Sequence, residues 1–204
     1  SSLRAPRNYQ WSVGLERQFA PIGRISVQYV DSRATNIQRT RNINAPIAGV
    51  YPFGDRQFRI LTETTGLSRS HQLMVAPSIN YKKLFLFGFY SLSYGKTDAE
   101  GTPADPYNLR AEWGPSRIAD VRHRVVMGTS LPLPLGVSIS PFFIASSGSP
   151  YNITSGRDLN GDGFAAERPA LLSGVSSADC RLGSLVYAAS FGCFDLNAVA
   201  GQAI

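Results

Sequence analysis

The stretch NYQWSVGLERQFAPIGRISVQYV, residues 8–30, decides the fold, because its apolar side chains recur at every second position. The apolar positions are Trp11, Val13, Leu15, Phe19, Ile25, Val27 and Tyr29. A period of two indicates a β-strand with one apolar and one polar face. The alternation is interrupted only around Ala20-Pro21-Ile22-Gly23, a turn-like sequence. The stretch therefore predicts two antiparallel strands joined by a short turn.

The same alternation recurs in four further segments, at residues 71–81, 84–94, 120–131 and 137–146. Their connections differ sharply in length. The short turns are at residues 20–23, 81–84 and 132–136. The long connections are residues 32–69, 97–118 and everything after 148. Short turns at one end and long loops at the other are typical of an outer-membrane barrel.

The predicted fold is all-β: an antiparallel up-and-down meander of transmembrane-barrel type with about six strands. Each strand has roughly ten residues, the length that crosses a bilayer at a tilt. Residues 57–66, QFRILTETTG, are predicted to form a local strand outside the membrane, within the first long loop. A soluble β-sandwich or lipocalin-like barrel is the alternative, because the alternation does not tell which face is inside. Aromatic residues near the strand ends favour the membrane barrel.

Charge and motif content exclude several classes of function. The formal net charge is +6, and much of the excess is arginine in predicted loops. We find no recognition helix, RNA-binding aromatic motif or lysine-rich run, so the sequence predicts no nucleic-acid partner. The two histidines, His71 and His123, are accompanied by no nucleophile or metalloprotease motif. The sequence therefore predicts that the protein is not an enzyme.

The segment Asp158-Leu159-Asn160-Gly161-Asp162-Gly163 matches the first half of a calcium loop, D-x-N-x-D-G. Ca²⁺ takes several oxygen ligands, which alternating carboxylates and an amide supply. The twelfth loop position holds Pro169, and Glu167 stands two residues earlier. The predicted ligands of a Ca²⁺ site are thus Asp158, Asn160, Asp162 and Glu167. The alternative is an Asx-rich turn held by hydrogen bonds to its own backbone.

Cys180 and Cys193 are the only cysteines, separated by a short loop. They are predicted to form a disulfide in an oxidising compartment; two unrelated free thiols are the alternative. We divide the chain into residues 1–147, with the barrel strands and their loops, and residues 148–204. The second part is predicted to be a long outer loop region that contains the Asp/Asn/Gly motif and both cysteines.

Two parts of the sequence resemble a known family. NYQWSVGLERQF followed by GRISVQYVDSRATNIQRTRNINAP resembles a strand pair of TonB-dependent outer-membrane receptors, specifically the Oar-like group with a carboxypeptidase-regulatory-like domain. DVRHRVVMGTSLPLPLGVSIS and the following SGSPYNITSGRDLNGDGFAAERPA resemble a later strand pair and outer loop of that group. The resemblance covers residues 8–170 and implies a late-middle section of a barrel of about 22 strands.

This resemblance implies a bacterial outer-membrane or cell-surface location, contact with outer-membrane lipid, and energy-coupled uptake of a bulky nutrient such as a glycan, peptide or metal chelate. The chain would supply barrel wall and outer loops. An open sheet of about six strands has two unpaired edges, which lipid cannot satisfy. The remainder of the barrel could pair with these edges, or extra strands from residues 57–64 and 184–197 could close a small barrel. Further copies could also join edge to edge, which would make the chain a structural self-assembling protein.

Overall fold

The computed structural model describes residues 3–19, 22–181 and 183–199. Ala20 and Pro21 of the first predicted turn, and residues 200–204 of the predicted outer loop region, lie outside this description. The strands are β1 Arg7–Phe19, β2 Gly23–Asn42, β3 Ile60–Tyr81, β4 Leu84–Thr97, β5 Gly114–Pro115, β6 His123–Pro132, β7 Ser138–Ile139, β8 Phe142–Ser146, β9 Pro169–Leu172, β10 Leu185–Ala188 and β11 Gly192–Val199. Short 3₁₀ turns occupy Leu109–Glu112 and Pro134–Gly136. None of the helical segments in the described residues has the length and apolar character to cross a membrane.

The long strands form one antiparallel sheet. Its order is β1-β2-β3-β4-β6, and β7 and β8 both pair with the far side of β6. The short β5 pairs with the end of β4. Neighbours in the sheet are mostly neighbours in sequence, which confirms the predicted up-and-down meander. Within the described residues the sheet is open, since β1 pairs only with β2 and β8 only with β6.

The register of the strands places the alternating residues on two different faces. One row across the sheet consists of Leu15, Val27, Val75, Tyr90 and Val125. The adjacent row, on the opposite face, consists of Gly14, Gln28, Met74, Ser91 and Arg124. Directly opposed residues in an antiparallel pair point to the same side of the sheet. The sheet thus has one apolar and one largely polar face, as the sequence predicted.

The polar face has an apolar part on β4, β6 and β8, near the short-turn end. Phe85 and Phe87 stack there with ring centroids 5.5 Å apart. Gly128 lies beneath them, and a Cβ atom on this residue would come within 2.6 Å of the Phe87 ring. A larger residue would displace the ring, so glycine allows the phenylalanine to lie flat on the sheet.

The prediction for the first long connection was wrong in its bounds. It was expected to span residues 32–69, whereas β2 continues to Asn42 and β3 begins at Ile60. The segment 57–66 was expected to form a separate strand outside the membrane, but from Ile60 onward it is continuous with β3. In these outer parts of β2 and β3 the pairing register is irregular near Asn36, whose φ is 57°. These strand ends have polar side chains on both faces, so the alternation that marks the rest of the strands is lost.

The chain after residue 148 contains a small second sheet instead of loop alone, with the order β10-β11-β9. Cys180 and Cys193 form a disulfide beside it, with Cα atoms 5.7 Å apart, and Phe194 is buried next to Cys193. Residues 184–197 do not close a small barrel with the large sheet, because β10 pairs with β11 and β11 pairs with β9. Strands of four residues are too short to show a clear alternation.

Candidate functional site

Three long loops meet at one end of the large sheet. We name them L1 (residues 43–59), L2 (residues 98–122) and L3 (residues 147–168). L1 and L2 each join two antiparallel strands of the large sheet at the end opposite the short turns. L3 leaves β8 at the same end, where Ser146 pairs with Arg124, and leads to β9 of the small sheet. L3 carries the motif predicted to bind calcium, so this end is the candidate site.

The motif in L3 folds into a tight turn around its own carboxylates. Both oxygens of Asp158 accept backbone N–H groups: Oδ1 from Gly161 at 2.7 Å and Oδ2 from Gly163 at 2.9 Å. Asp162 Oδ1 accepts the N–H of Phe164 at 2.8 Å. Glu167 Oε1 closes the turn from the other side, accepting the N–H groups of Leu159 and Asn160, each at 3.1 Å. The hydrogen bonds of an Asx-rich turn are therefore present.

Three of the four predicted ligands come together in this turn. One carboxylate oxygen from each of Asp158, Asp162 and Glu167 lies within 4.8 Å of the other two. The side chain of Asn160 bonds to backbone groups instead. Its Oδ1 accepts the N–H of Asp162 at 2.9 Å, and its Nδ2 donates to the carbonyl of Ala104 in L2 at 2.9 Å. The turn thus presents oxygen atoms of the kind that hard cations bind.

The carboxyl group of Asp162 is buried within this turn. Only 2% of the residue is exposed. Burial, which penalises the charged form, raises its pKa from 3.8 to about 6, and the negative charges of Glu167 and Asp158 add to the rise. The N–H of Phe164 opposes this effect on the pKa. Negative charge is consequently concentrated where little water reaches it.

The three loops are joined to one another and to β2 by hydrogen bonds between residues far apart in sequence. Asn42, at the end of β2, donates from Nδ2 to the carbonyl of Asp162 at 2.8 Å. Tyr107 of L2 donates from its hydroxyl to the carbonyl of Ala45 in L1 at 2.7 Å. Together with the bond from Asn160 to Ala104, these contacts join the three loops into one unit.

The glycines of the motif are required by both conformation and space. Gly161 and Gly163 have φ of 75° and 88°, a region that residues with a side chain rarely adopt. A Cβ atom on Gly163 would also lie 2.7 Å from the ring of Phe58. Phe58 of L1 packs edge-on against Phe164, with centroids 5.2 Å apart. The turn and its contact with L1 therefore depend on the same glycine.

A buried ion pair fixes the end of L3 to L2. Arg168 donates to both carboxylate oxygens of Glu112, at 3.1 and 2.5 Å, and from Nε to Asn152 Oδ1 at 3.0 Å. Both side chains of the pair are at least nine-tenths buried. The guanidinium of Arg168 thus binds Glu112 and Asn152 and forms no ion pair with the carboxylates of the motif.

Comparison with known proteins assigns the chain to a family. A family model described as an outer membrane beta barrel domain matches residues 1–203. The chain belongs to this family. Searches of curated proteins and of solved structures gave no match. The outer membrane beta barrel domain accordingly lies in the bacterial outer membrane, in contact with its lipid.

Membership of the family orients the sheet. In outer-membrane barrels the short turns face the periplasm and the long loops face outward. By this rule we expect L1, L2 and L3 to face outward, and we refer to them as the external loops. The apolar row through Val27 faces lipid, and the row through Gln28 faces the interior of the barrel. Trp11 and Tyr29 lie on the lipid-facing side, with ring centroids 5.5 Å apart and planes tilted by 51°, near the border where aromatic girdles occur.

The external loops enclose a cleft of about 710 Å³ between L2 and L3. Its wall includes charged and aromatic side chains, notably Glu100, Arg117, Asp120, Arg122, Tyr151 and Arg168. The Tyr151 ring is 67% exposed and stands edge-on to Phe191, at 6.2 Å. The volume lies within the range of about 300–1,000 Å³ that is typical of ligand-binding clefts.

L1 of the outer membrane beta barrel domain is stabilised by a buried polar residue that the sequence analysis did not single out. Asn44 is 1% exposed and makes four hydrogen bonds inside L1. Its Nδ2 donates to Asp55 Oδ1 at 3.1 Å and to the carbonyls of Asp55 and Gln57, and its Oδ1 accepts from the N–H of Phe53 at 3.1 Å. The only signal in the sequence was an asparagine placed shortly after a strand, which is common in turns.

Replacing Asn44 with alanine is expected to lower the free energy of local opening of L1 by about 1–3 kcal/mol, because it removes four hydrogen bonds to part-buried groups of this loop. Native-state hydrogen exchange at the amides of Phe53 and Gln57 measures this change. Asn108→Ala is the matched control, since Asn108 is exposed and its side chain makes no capping hydrogen bond. Equal exchange in both variants would contradict a structural role for Asn44.

Proposed function

We propose that the chain forms part of the wall and the external loops of a TonB-dependent, Oar-like receptor that takes up a bulky nutrient. A glycan, a peptide or a metal chelate fits the proposal. The observation that carries it is the cleft of about 710 Å³ between L2 and L3, two loops that are bonded to each other and, through Tyr107, to L1. Loops that are fixed to one another present a ligand with a preformed surface, which lowers the entropic cost of binding.

The open sheet supports the same proposal. Six strands in sequence order span the membrane region. The two edge strands, β1 and β8, do not pair with each other in the described residues. Bilayer-spanning sheets must close, and closed barrels have at least eight strands. Strands of the remainder of a receptor barrel would pair with β1 and β8. In this proposal the chain provides wall and binding surface and performs no chemical reaction.

Uptake in the living bacterium tests the proposal. We expect deletion of the gene to abolish accumulation of one labelled class among glycans, peptides and metal chelates, and a protonophore or loss of TonB to have the same effect. Tyr151→Ala should lower uptake several-fold at an unchanged amount of protein in the outer membrane. Tyr187→Ala, which removes an exposed tyrosine outside the cleft, is the control. Uptake that continues without TonB would contradict the proposal.

A structural self-assembling protein is the second candidate function. It is favoured by β1, whose thirteen residues are all exposed along an unpaired edge. Such an edge can pair with a strand of another copy. The mass of the particle in detergent, measured by light scattering or native mass spectrometry, separates the candidates. A polymer of this chain alone supports self-assembly, whereas a single larger barrel chain supports the receptor.

A further inference from the structure

The acidic turn in L3 lacks a positive partner. No lysine or arginine within residues 3–19, 22–181 and 183–199 forms an ion pair with Asp158, Asp162 or Glu167. The nearest arginine in sequence, Arg168, is engaged by Glu112 and Asn152. Three carboxylates within 4.8 Å repel one another, and burial of two of them strengthens that repulsion.

A second observation concerns a single buried atom. Glu167 is 1% exposed, and its Oε2 has no hydrogen-bond donor among the described residues. The other oxygen of this carboxylate already accepts two backbone N–H groups, so the side chain is held in place with one oxygen unsatisfied. A buried, unpaired carboxylate oxygen costs several kcal/mol unless a donor or a cation meets it.

We propose that Asp158, Asp162 and Glu167 bind one Ca²⁺ ion that ties the L3 turn together. Oxygens that share a Ca²⁺ ion at about 2.3–2.6 Å lie no more than about 5 Å apart, which the observed spacing satisfies. Second carboxylate oxygens of these residues and water complete the six to eight oxygens that Ca²⁺ takes. Asp158 is exposed and gives the ion a route from solvent, while Asp162 and Glu167 hold it from below.

Calcium at this position would act on all three external loops. The backbone carbonyl of Asp162 receives the hydrogen bond from Asn42, and Asn160 contacts Ala104 of L2. An ion that fixes the turn therefore also fixes the carbonyl of Asp162 and the amide of Asn160, through which L3 is attached to β2 and L2. Calcium binding and the order of the external loops are thermodynamically linked.

Isothermal titration of the chelator-treated protein in detergent with CaCl₂ tests the proposal. We expect one ion per chain with a dissociation constant below about 1 mM, the range of extracellular calcium modules. Glu167→Gln and Asp162→Asn should each weaken binding by at least about tenfold, since one charge is lost from a set of three. Glu167→Gln keeps an oxygen for the N–H groups of Leu159 and Asn160, so the turn can still form. Mg²⁺ should bind at least about tenfold more weakly, because it demands a stricter geometry.

Hydrogen exchange supplies an independent readout. At Ca²⁺ about ten times its dissociation constant, exchange of the amides at residues 159–164 should slow about tenfold, because opening requires release of the ion. Asp179→Asn is the control: this exposed carboxylate, bonded to Ser176, should leave binding and exchange unchanged. The proposal is overturned if the native protein shows no saturable Ca²⁺ binding. It is also overturned if Mg²⁺ binds equally well, or if both substitutions in the turn bind Ca²⁺ as tightly as the native protein.

Discussion

Replacing Val27 with arginine is expected to lower the free energy of unfolding by about 2–4 kcal/mol, because it places a charge against the middle of the bilayer. Val27 lies on the lipid-facing side of β2, between Leu15 of β1 and Val75 of β3. It is midway between Gly23 at the short turn and Asp31 at the outer border of the apolar face. Arginine at this depth cannot reach the headgroups without distorting the strand or the bilayer.

The neighbouring residue supplies a matched control. Gln28 is on the same strand at the same depth but points into the barrel, beside Gly14 and Met74. Gln28→Arg should therefore change the free energy of unfolding by less than about 1 kcal/mol. Urea unfolding from lipid vesicles, followed by tryptophan fluorescence, measures both variants. An equal loss in both would mean that the apolar face is not the lipid-facing one.

The second large effect is expected for Asp98→Ala, at about 3 kcal/mol of local stability, because the change removes one of the two carboxylates that face the buried Arg39 and also the acceptor of the Leu67 N–H. The side chain of Asp98 is fully buried and lies 3.4 Å from Arg39, whose own side chain is 7% exposed. Asp98 also accepts the N–H of Leu67 at 2.6 Å and pairs with Arg110. It thereby joins L2 to the extended outer ends of β2 and β3.

Two variants separate charge from hydrogen bonding at this position. Asp98→Asn keeps an oxygen for the N–H of Leu67 but removes the charge that faces Arg39, so an intermediate loss is expected. Asp105→Ala removes an exposed carboxylate of the same loop and should cost less than about 1 kcal/mol. Hydrogen exchange at the Leu67 amide reports the local stability. Similar exchange in Asp98→Ala and Asp105→Ala would show that the buried pair does not hold L2.

Strand positions in the membrane region followed from the sequence because one face meets lipid and the other does not. This difference produces the alternation that identified β1 and the first part of β2. Above the bilayer border both faces of a strand meet water or loops, so the side chains from Ser32 to Asn42 show no period of two. The strand continues there because its backbone still pairs with β3, up to Asn42 opposite Ile60. Backbone pairing between distant segments leaves little local trace in a sequence.

The candidate site was predictable only where its contacts are local. The turn from Asp158 to Glu167 was found because the oxygen-bearing residues lie within ten positions, and the structure brings three of them together. Asn42, which bonds to Asp162 across 120 positions, and the pair of Asp98 with Arg39 could not be found this way. Their partners are decided by how the strands place the loops, which residue spacing within one loop does not reveal.

The attachment of L1, L2 and L3 to one another has a consequence for protein engineering. A single loop transplanted from another barrel would lose the donors and acceptors that its surroundings supply, as L3 would without Asn42 of β2 or Ala104 of L2. We therefore expect that the three loops have to be exchanged together, because one loop grafted alone would lack the contacts that hold its fold.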